Sequence, residues 1–89
     1  RPLFYDFPED PEAWTVEDQF LFGPDVLVAP VLEAGARSRQ VYLPAGCDWR
    51  DAWSGGTHDG GRCVMADAPL GRIPVFVRDG APVWEMFVN

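Results

Sequence analysis

The chain has 89 residues, of which 47% are hydrophobic, so it can build one small core and is not a disordered tail. Its formal net charge is -7, from 14 acidic and 7 basic residues, and this balance argues against nucleic acid as a partner because phosphate backbones repel it. No apolar run reaches the roughly 20 residues that cross a bilayer, and no signal-peptide pattern opens the chain. We therefore expect no membrane partner and a cytoplasmic location. Because the first residue is Arg1 rather than Met, we expect a fragment of a longer protein.

The first seven residues, RPLFYDF, predict a strand from Arg1 to Phe7. Leu3, Tyr5 and Phe7 alternate with a second set that is also largely apolar, as in a strand buried on both faces. Such strands form the interior of barrels that are surrounded by helices.

The next segment predicts a short helix over residues 11–22. Asp10 is a good N-cap, Pro11 suits the first helical position, and Glu12 places a negative charge in the first turn. Apolar residues follow at roughly helical spacing. Gly23 is expected to end the helix together with the proline after it.

An apolar run from Val26 to Val31 follows this turn and organises the rest of the chain. The run is too short for a stable isolated helix, so we interpret it as a strand covered on both faces. The composition also changes near Gly23, from acidic and aromatic to Gly-rich and β-like. We therefore expect two units, residues 1–25 and residues 26–89.

Later strands are predicted where alternating side chains lie between turn residues. They cover residues 40–43, 48–53, 62–66 and 73–78. The two Gly-Gly pairs between Ser54 and Gly61 are interpreted as turns, because neither GxGxxG nor Walker spacing occurs. The expected fold class is mainly β: a small antiparallel β-sandwich preceded by a strand and a short helix.

Two groups of residues are candidates for a functional site. The first is a set of carboxylates near the N-terminus: Asp6, Glu9, Asp10, Glu12, Glu17 and Asp18. A glycosidase needs two facing carboxylates, and Asp6 lies near the end of the predicted barrel strand. We favour the alternative, which is a solvated helix face with its caps.

The second group is Trp49, Asp51 and Trp53, which share one face of a predicted strand. Two indoles with a carboxylate between them can stack on a sugar and bind its hydroxyl groups. The favoured alternative is an aromatic cluster that pins the hairpin or docks it on a neighbouring domain.

The cysteines Cys47 and Cys63 have no CxxC or metal-ligand spacing. They could form a disulfide between two strands, but we favour two independent thiols. His58, with Asp59 beside it, could join either cysteine in a nucleophile set, and we favour a solvent-exposed loop histidine. The sequence implies no metal and no cofactor.

Four linked segments resemble glycoside hydrolase family 31, which contains retaining α-glucosidases and α-xylosidases. They read RPLFYDFPEDPEAW, DQFLFGPDVLVAPVL, VYLPAGCDWRDAWSGG and APLGRIPVFVRDGA. The resemblance implies that residues 1–7 are the last strand of a (β/α)8 catalytic barrel and residues 8–25 the exit from it. Residues 26 to about 80 correspond to the proximal C-terminal β-sandwich. Arg50 stands where relatives usually have a second aromatic, and residues 82–89 have no assured family role.

The resemblance implies no catalytic residue in this chain, because the family's two catalytic aspartates lie on earlier barrel strands. It implies a non-catalytic supporting domain of a retaining α-glycosidase, with the parent's catalytic barrel as partner and an oligosaccharide as the parent's substrate. One alternative is a carbohydrate-binding module that uses Trp49 and Trp53. Another is an oligomerisation element, because an unpaired strand from Arg1 to Phe7 would seek a partner and form a homodimer.

Overall fold

The computed structural model describes residues 2–23, 25–31, 35, 37–69 and 73–80. This part of the chain contains two short 3₁₀ helices and a series of β-strands. The 3₁₀ helices are Leu3–Tyr5 and Pro11–Trp14. The strands are β1 (Phe20–Phe22), β2 (Val26–Val28), β3 (Ser38–Leu43), β4 (Trp49–Asp51), β5 (Thr57–His58), β6 (Arg62–Asp67) and β7 (Val75–Arg78). The described residues include no helix that is long and apolar enough to cross a membrane.

The strands form two antiparallel sheets, which confirms the expected mainly β, sandwich-like fold. One sheet has five strands in the order β1-β2-β7-β4-β5, and the other pairs β3 with β6. In the first hairpin Phe22 lies opposite Val26, so the expected turn between them is present. Gly23 begins that turn with a φ of 64°, a left-handed conformation that glycine adopts without a Cβ clash.

The core is continuous across the expected boundary at residue 25. Leu3, Phe7 and Ala13 belong to the same buried cluster as Leu27 and Phe76. A bridge between Pro2 and Phe20 adds a backbone contact at the edge of the larger sheet. The first segment therefore packs as part of this body, and the division into residues 1–25 and 26–89 stays a prediction.

The strand predicted from Arg1 to Phe7 is wrong over the described residues, which form a 3₁₀ helix at Leu3–Tyr5. The amide of Tyr5 donates to Pro2 O (3.2 Å) and that of Phe7 to Leu3 O (3.1 Å). A short apolar run does not distinguish a strand from a tight turn, because both bury Leu3 and Phe7. The unpaired edge behind the expected homodimer is thus absent, and Arg1 lies outside the described residues.

The helix predicted over residues 11–22 is also shorter than expected. Asp10 and Pro11 do begin a helical turn, as predicted, but the turn ends at Trp14. The hydroxyl of Thr15 donates to the carbonyl oxygen of Glu12 (2.8 Å) and satisfies a group at the helix end. The later aromatic residues enter β1 instead, because pairing with β2 outweighs the helical spacing of the sequence.

The central apolar run forms a strand only at Val26–Val28. Leu27 and Ala29 are fully buried, whereas Val26 and Val28 are half-buried. The strand therefore has one covered face and one partly open face, and the expectation of cover on both faces is wrong.

The four later strands are present, with changed ends. The strand predicted over residues 48–53 ends at Asp51, because Asp51 Oδ1 accepts hydrogen bonds from the amides of Trp53 (2.7 Å) and Ser54 (3.2 Å) and closes a turn. The loop predicted over residues 54–61 contains the two-residue strand β5, which pairs with β4. The predicted tail at residues 82–89 lies outside the described residues.

Candidate functional site

One buried carboxylate joins the N-terminal segment to the smaller sheet. Asp10 is 8% exposed. Its Oδ2 accepts hydrogen bonds from the Tyr42 hydroxyl (2.5 Å) and the Ala45 amide (2.8 Å). Its Oδ1 accepts from the Glu12 amide (3.1 Å) and caps the second 3₁₀ helix. We name the set of Asp10, Tyr42 and Gln19 the junction.

Both ionisable groups of the junction have shifted pKa values. Burial raises the pKa of the Asp10 carboxyl, but hydrogen bonds from the Tyr42 hydroxyl and from nearby backbone amides lower it by more, so the net pKa lies below its ordinary value. Burial and the hydrogen bond to Asp10 raise the pKa of Tyr42. At neutral pH the junction therefore contains a carboxylate and a protonated phenol.

Gln19 completes the junction by binding the backbone of β3. Its Nε2 donates to Tyr42 O (2.7 Å), and its Oε1 accepts from Tyr42 N (2.8 Å). The side-chain amide thus occupies the place of a neighbouring strand at the edge of β3. Gln19 is 2% exposed, and its two polar atoms are both satisfied, as buried amides require.

A second contact joins the N-terminal segment to the larger sheet. The rings of Phe7 and Trp49 lie 5.8 Å apart. The guanidinium of Arg78 lies 5.1 Å from the centroid of Phe7 and 5.8 Å from that of Trp49, within range for cation–π attraction. Arg78 also pairs with Asp25 (3.5 Å). These contacts hold the first segment against the larger sheet, as the junction holds it against the smaller sheet.

The structure separates the two tryptophans of the candidate sugar site. Trp49 is fully buried, and its indole Nε1 donates to Pro44 O (3.0 Å). Trp53 is 52% exposed, and its Nε1 donates to Ile73 O (2.8 Å). Asp51 lies beside Trp53 in the turn described above, so the structure brings these two together. A sugar contact at Asp51 and Trp53 stays a prediction, whereas Trp49 presents no open face.

The carboxylates of the N-terminal cluster are divided between two clefts. Asp6, Glu9 and Asp10 line an open cleft of about 510 Å³ together with Ala45 and Gly46. The remaining acidic residues of the cluster line a second cleft: Glu12, Glu17 and Asp18. Asp18 pairs with Arg39 (3.2 Å). The cluster therefore supplies caps and ion pairs rather than one shared acidic centre.

Cys47 and His58 pack against the core, whereas Cys63 is exposed. Both cysteines are free, which confirms the preference for independent thiols, and burial raises the pKa of the Cys47 thiol. His58 is half-buried in β5, with its ring 5.9 Å from that of Phe76 at an interplanar angle of 68°. The expected exposed loop histidine is therefore wrong, because β5 extends the sheet into that loop. The described residues contain no group of three or more metal-ligating side chains.

The solvent side of the first hairpin is apolar. Phe20 lies opposite Val28 and Phe22 opposite Val26, so these four side chains share one face of the sheet. Phe22 is 71% exposed and Phe20 43% exposed, and a shallow apolar cleft of about 420 Å³ lies beside them, bounded by Pro30. We name this surface the outer face.

Comparison with known proteins assigns the chain to a family. A family model described as the glycosyl hydrolase family 31 C-terminal domain matches residues 1–83. The chain belongs to glycosyl hydrolase family 31. The resemblance seen in the sequence is thereby confirmed.

Two enzymes and one solved structure illustrate the family 31 likeness. A sulfoquinovosidase from Agrobacterium fabrum is 45% identical over 87 residues, covering 98% of this chain and 13% of its own length. An α-xylosidase from Saccharolobus solfataricus is 40% identical over 81 residues, covering 91% of this chain and 11% of its own length. The crystal structure of a family 31 α-xylosidase from a soil metagenome, complexed with xylose, is 55% identical with a TM-score of 0.93 and covers 100% of this chain and 13% of that one. The chain therefore spans a small part of each of these proteins.

The sequence indicated part of this geometry. Asp10 was recognisable as a helix cap, and residues 40–43, which include Tyr42, as a strand. Nothing in the sequence links Tyr42 to Gln19 or to Asp10, because these contacts join residues 23 and 32 positions apart. The apolar spacing of residues 20–22 was visible but was interpreted as a helix face.

Proposed function

We propose that this chain is a non-catalytic supporting domain of a retaining α-glycosidase that hydrolyses α-glucosides or α-xylosides. Membership in family 31 supports the reaction class, and the similarity to enzymes named α-xylosidase supports the sugar class. The observation that carries the supporting role is the exposed outer face. We infer that this face packs against the catalytic barrel of the parent protein.

The outer face has the properties of a surface that is covered in a larger assembly. Its two phenylalanines project from a hairpin whose other side is buried in the core. Fully burying a phenylalanine side chain stabilises by about 1.5–3 kcal/mol relative to leaving it exposed. The junction holds this hairpin and the segment before it against the smaller sheet, so the face is presented on a fixed body.

The state of the carboxylates supports the non-catalytic part of the proposal. A retaining glycosidase uses two carboxyl groups about 5–5.5 Å apart, one of them a general acid with a raised pKa. Asp10, the buried carboxylate, has a lowered pKa and accepts three hydrogen bonds. It therefore acts as a structural anion and is unsuited to donate a proton at neutral pH.

The proposal is tested by assaying this chain and the longer polypeptide that carries it on nitrophenyl α-glucoside and nitrophenyl α-xyloside. We expect the longer polypeptide to release nitrophenol and the 89-residue chain to release none. Steady release by the purified 89-residue chain contradicts the non-catalytic role. Failure of the longer polypeptide on both substrates contradicts the proposed reaction.

A carbohydrate-binding role is a second candidate, favoured by the half-exposed indole of Trp53 beside Asp51. Calorimetric titration with maltose and xylo-oligosaccharides tests it. A sugar site at Trp53 gives heat that is lost in Trp53→Ala and kept in Trp14→Ala, a matched control because Trp14 is 56% exposed. If neither sugar gives heat, the carbohydrate-binding role is contradicted and only the supporting role remains.

A further inference from the structure

Among the described residues, the two sheets end in four strand edges, and three of them are protected. At one end of the larger sheet, β5 has only two residues. At the other end, β1 has three residues, and Pro2 bridges to Phe20. In the smaller sheet, the Gln19 amide binds both backbone groups of Tyr42 on the outer edge of β3, and Arg39 Nε donates to Gln40 O. Short edge strands and covered edges are the usual ways in which proteins prevent unwanted pairing.

The fourth edge, that of β6, has no such cover among the described residues. β6 has six residues. The amide of Ala68 donates to Arg37 O (2.8 Å), so the backbone of Ala68 faces β3. Every second residue of a strand directs its backbone groups to the same side. The backbone groups of Arg62, Val64 and Ala66 therefore also point toward β3, where Val64 lies opposite Val41.

The N–H and C=O groups of Cys63, Met65 and Asp67 therefore point away from β3. No described residue hydrogen-bonds to these outward groups. The contact of Gln19 with Tyr42 supports the same alternation, because Tyr42 lies opposite Cys63 and also directs its backbone outward.

The side chains of β6 do not block pairing. Its centre is apolar, from Cys63 to Ala66, and its charges stand only at the two ends, Arg62 and Asp67. The strand contains neither proline nor lysine, the residues that commonly interrupt an exposed edge. Met65 is 69% exposed, so an apolar side chain stands in solvent at the middle of an open edge.

We propose that the edge of β6 pairs in an antiparallel manner with β6 of a second copy of this chain. The twofold axis passes through Met65, which then lies opposite Met65 of the second copy. Cys63 lies opposite Asp67 of the second copy, and Val64 opposite Ala66.

This register follows from the backbone alternation. Residues that face each other in an antiparallel ladder must both direct their backbone groups toward the partner, so an outward residue pairs only with an outward residue. Centring the axis on Met65 places all three outward residues opposite one another. Each such pair exchanges both of its N–H···O bonds.

The same register favours a second copy as the partner. It places no like charges opposite each other, because Asp67 faces a cysteine and the Arg62 position faces Ala68. An isologous contact about a twofold axis also closes, which limits the assembly to a dimer. The inference does not depend on the proposed function, since the outer face belongs to the other sheet.

Light scattering over a range of concentrations tests the dimer, with both the 89-residue chain and the longer polypeptide that carries it. We expect the mean mass to rise toward twice that of the monomer. Met65→Lys, which places two ammonium groups on the axis, returns the mass to the monomer value. Phe22→Lys is the matched control, because Phe22 is 71% exposed and lies on the outer face. In the 89-residue chain it leaves this association unchanged.

Cross-linking tests the register without relying on Met65→Lys. In Asp67→Cys the new thiol lies opposite Cys63 of the second copy, at a Cα separation of about 5.5 Å, which a disulfide can span. Oxidised glutathione, which accepts the two electrons, is expected to give a covalent dimer. Ser38→Cys, on β3 opposite Asp67, is expected to give none. Circular dichroism spectra confirm that each variant is folded.

Three results overturn the proposal. One is a monomer at every concentration in both polypeptides. Another is a dimer that Phe22→Lys dissociates and Met65→Lys does not, which would place the contact on the outer face. The third is equal cross-linking of the Asp67→Cys and Ser38→Cys variants.

Discussion

Asp10 serves two parts of the molecule with one carboxylate. One oxygen caps a short 3₁₀ helix, and the other accepts hydrogen bonds from the side chain of Tyr42 and the backbone of Ala45. Hydrogen bonds to a charged group are about twice as strong as neutral ones. A buried anion is tolerated here because three groups donate hydrogen bonds to it, and this makes the residue sensitive to substitution.

Asp10→Asn tests the contribution of the charge with almost no change in side-chain shape. An amide has one oxygen, so either the Glu12 amide or the Tyr42 and Ala45 donors must face its NH₂ group. We expect a loss of about 1.5–3 kcal/mol in the free energy of unfolding, the usual range for hydrogen bonds to a charged group. Urea titration measures it. Glu9→Gln, at an exposed neighbouring carboxylate, is the control and should change stability by less than about 0.5 kcal/mol.

The junction also predicts how stability depends on acid. The pKa of Asp10 is lower in the folded chain than its ordinary value, so the unfolded chain binds the proton more tightly. The stabilisation is complete above the unfolded pKa of about 3.9 and is lost as the pH falls through the folded pKa. Urea titrations between pH 7 and pH 2 should show this decline, and Asp10→Asn should flatten it. If the free energy of unfolding of Asp10→Asn falls equally steeply at low pH, the assignment to Asp10 is wrong.

At the scale of elements, the sequence predicted strands best where alternation and turn residues agreed. The strands now named β3, β6 and β7 were found in this way, with one end of each differing by one or two residues. Two elements were missed for physical reasons. β1 lies where apolar residues also fit a helix, and only pairing with β2 decides between the two. β5 is too short to produce a pattern of its own.

Gly60 shows why the connection between β5 and β6 requires a glycine. A Cβ built on Gly60 would collide with the carbonyl oxygens of Cys47 and Pro44, which belong to backbone and cannot rotate away. We expect Gly60→Ala to destabilise the fold by about 1–3 kcal/mol, as overpacking does. Thermal unfolding followed by circular dichroism measures the change.

Gly56→Ala is the matched control for Gly60→Ala, because a Cβ there meets only the Ser54 Oγ at 3.4 Å and the His58 Nε2 at 3.9 Å. Its backbone also needs no left-handed conformation, so alanine should be neutral or stabilise the fold slightly by restricting the unfolded chain. If both variants lose the same stability, the cause is not the contact with Cys47 and Pro44.

At the scale of the whole molecule, linked motifs identified the family, whereas the contacts that unite the chain were beyond the sequence. The motifs are local and carry their own spacing. The junction joins Asp10 and Gln19 to Tyr42, residues that are far apart in the sequence. Trp49 is buried next to the ring of Phe7, which is also distant in the sequence. Alternation placed Trp49 and Trp53 on one face, but the turn closed by Asp51 removed Trp53 from the strand.

Phe22, on the outer face, is expected to matter for the stability of the longer polypeptide and not for that of the 89-residue chain. Phe22→Lys should change the stability of the 89-residue chain by less than about 0.5 kcal/mol, because the side chain is 71% exposed. In the longer polypeptide the same change should lower the thermal midpoint and the glycosidase activity after heating, because an ammonium group would be buried against the barrel without a partner.

Phe22→Leu is the control for this comparison, since it keeps an apolar side chain at the same position. If the barrel covers the outer face, Phe22→Lys lowers the midpoint of the longer polypeptide, and Phe22→Leu retains most of the wild-type midpoint because it keeps an apolar contact. Equal midpoints for Phe22→Lys and wild type in the longer polypeptide would mean that the barrel does not cover this face. This chain would then have to support its parent by another route. The remaining candidates are the junction and the contacts of Arg78 with Phe7 and Trp49, which hold the N-terminal segment.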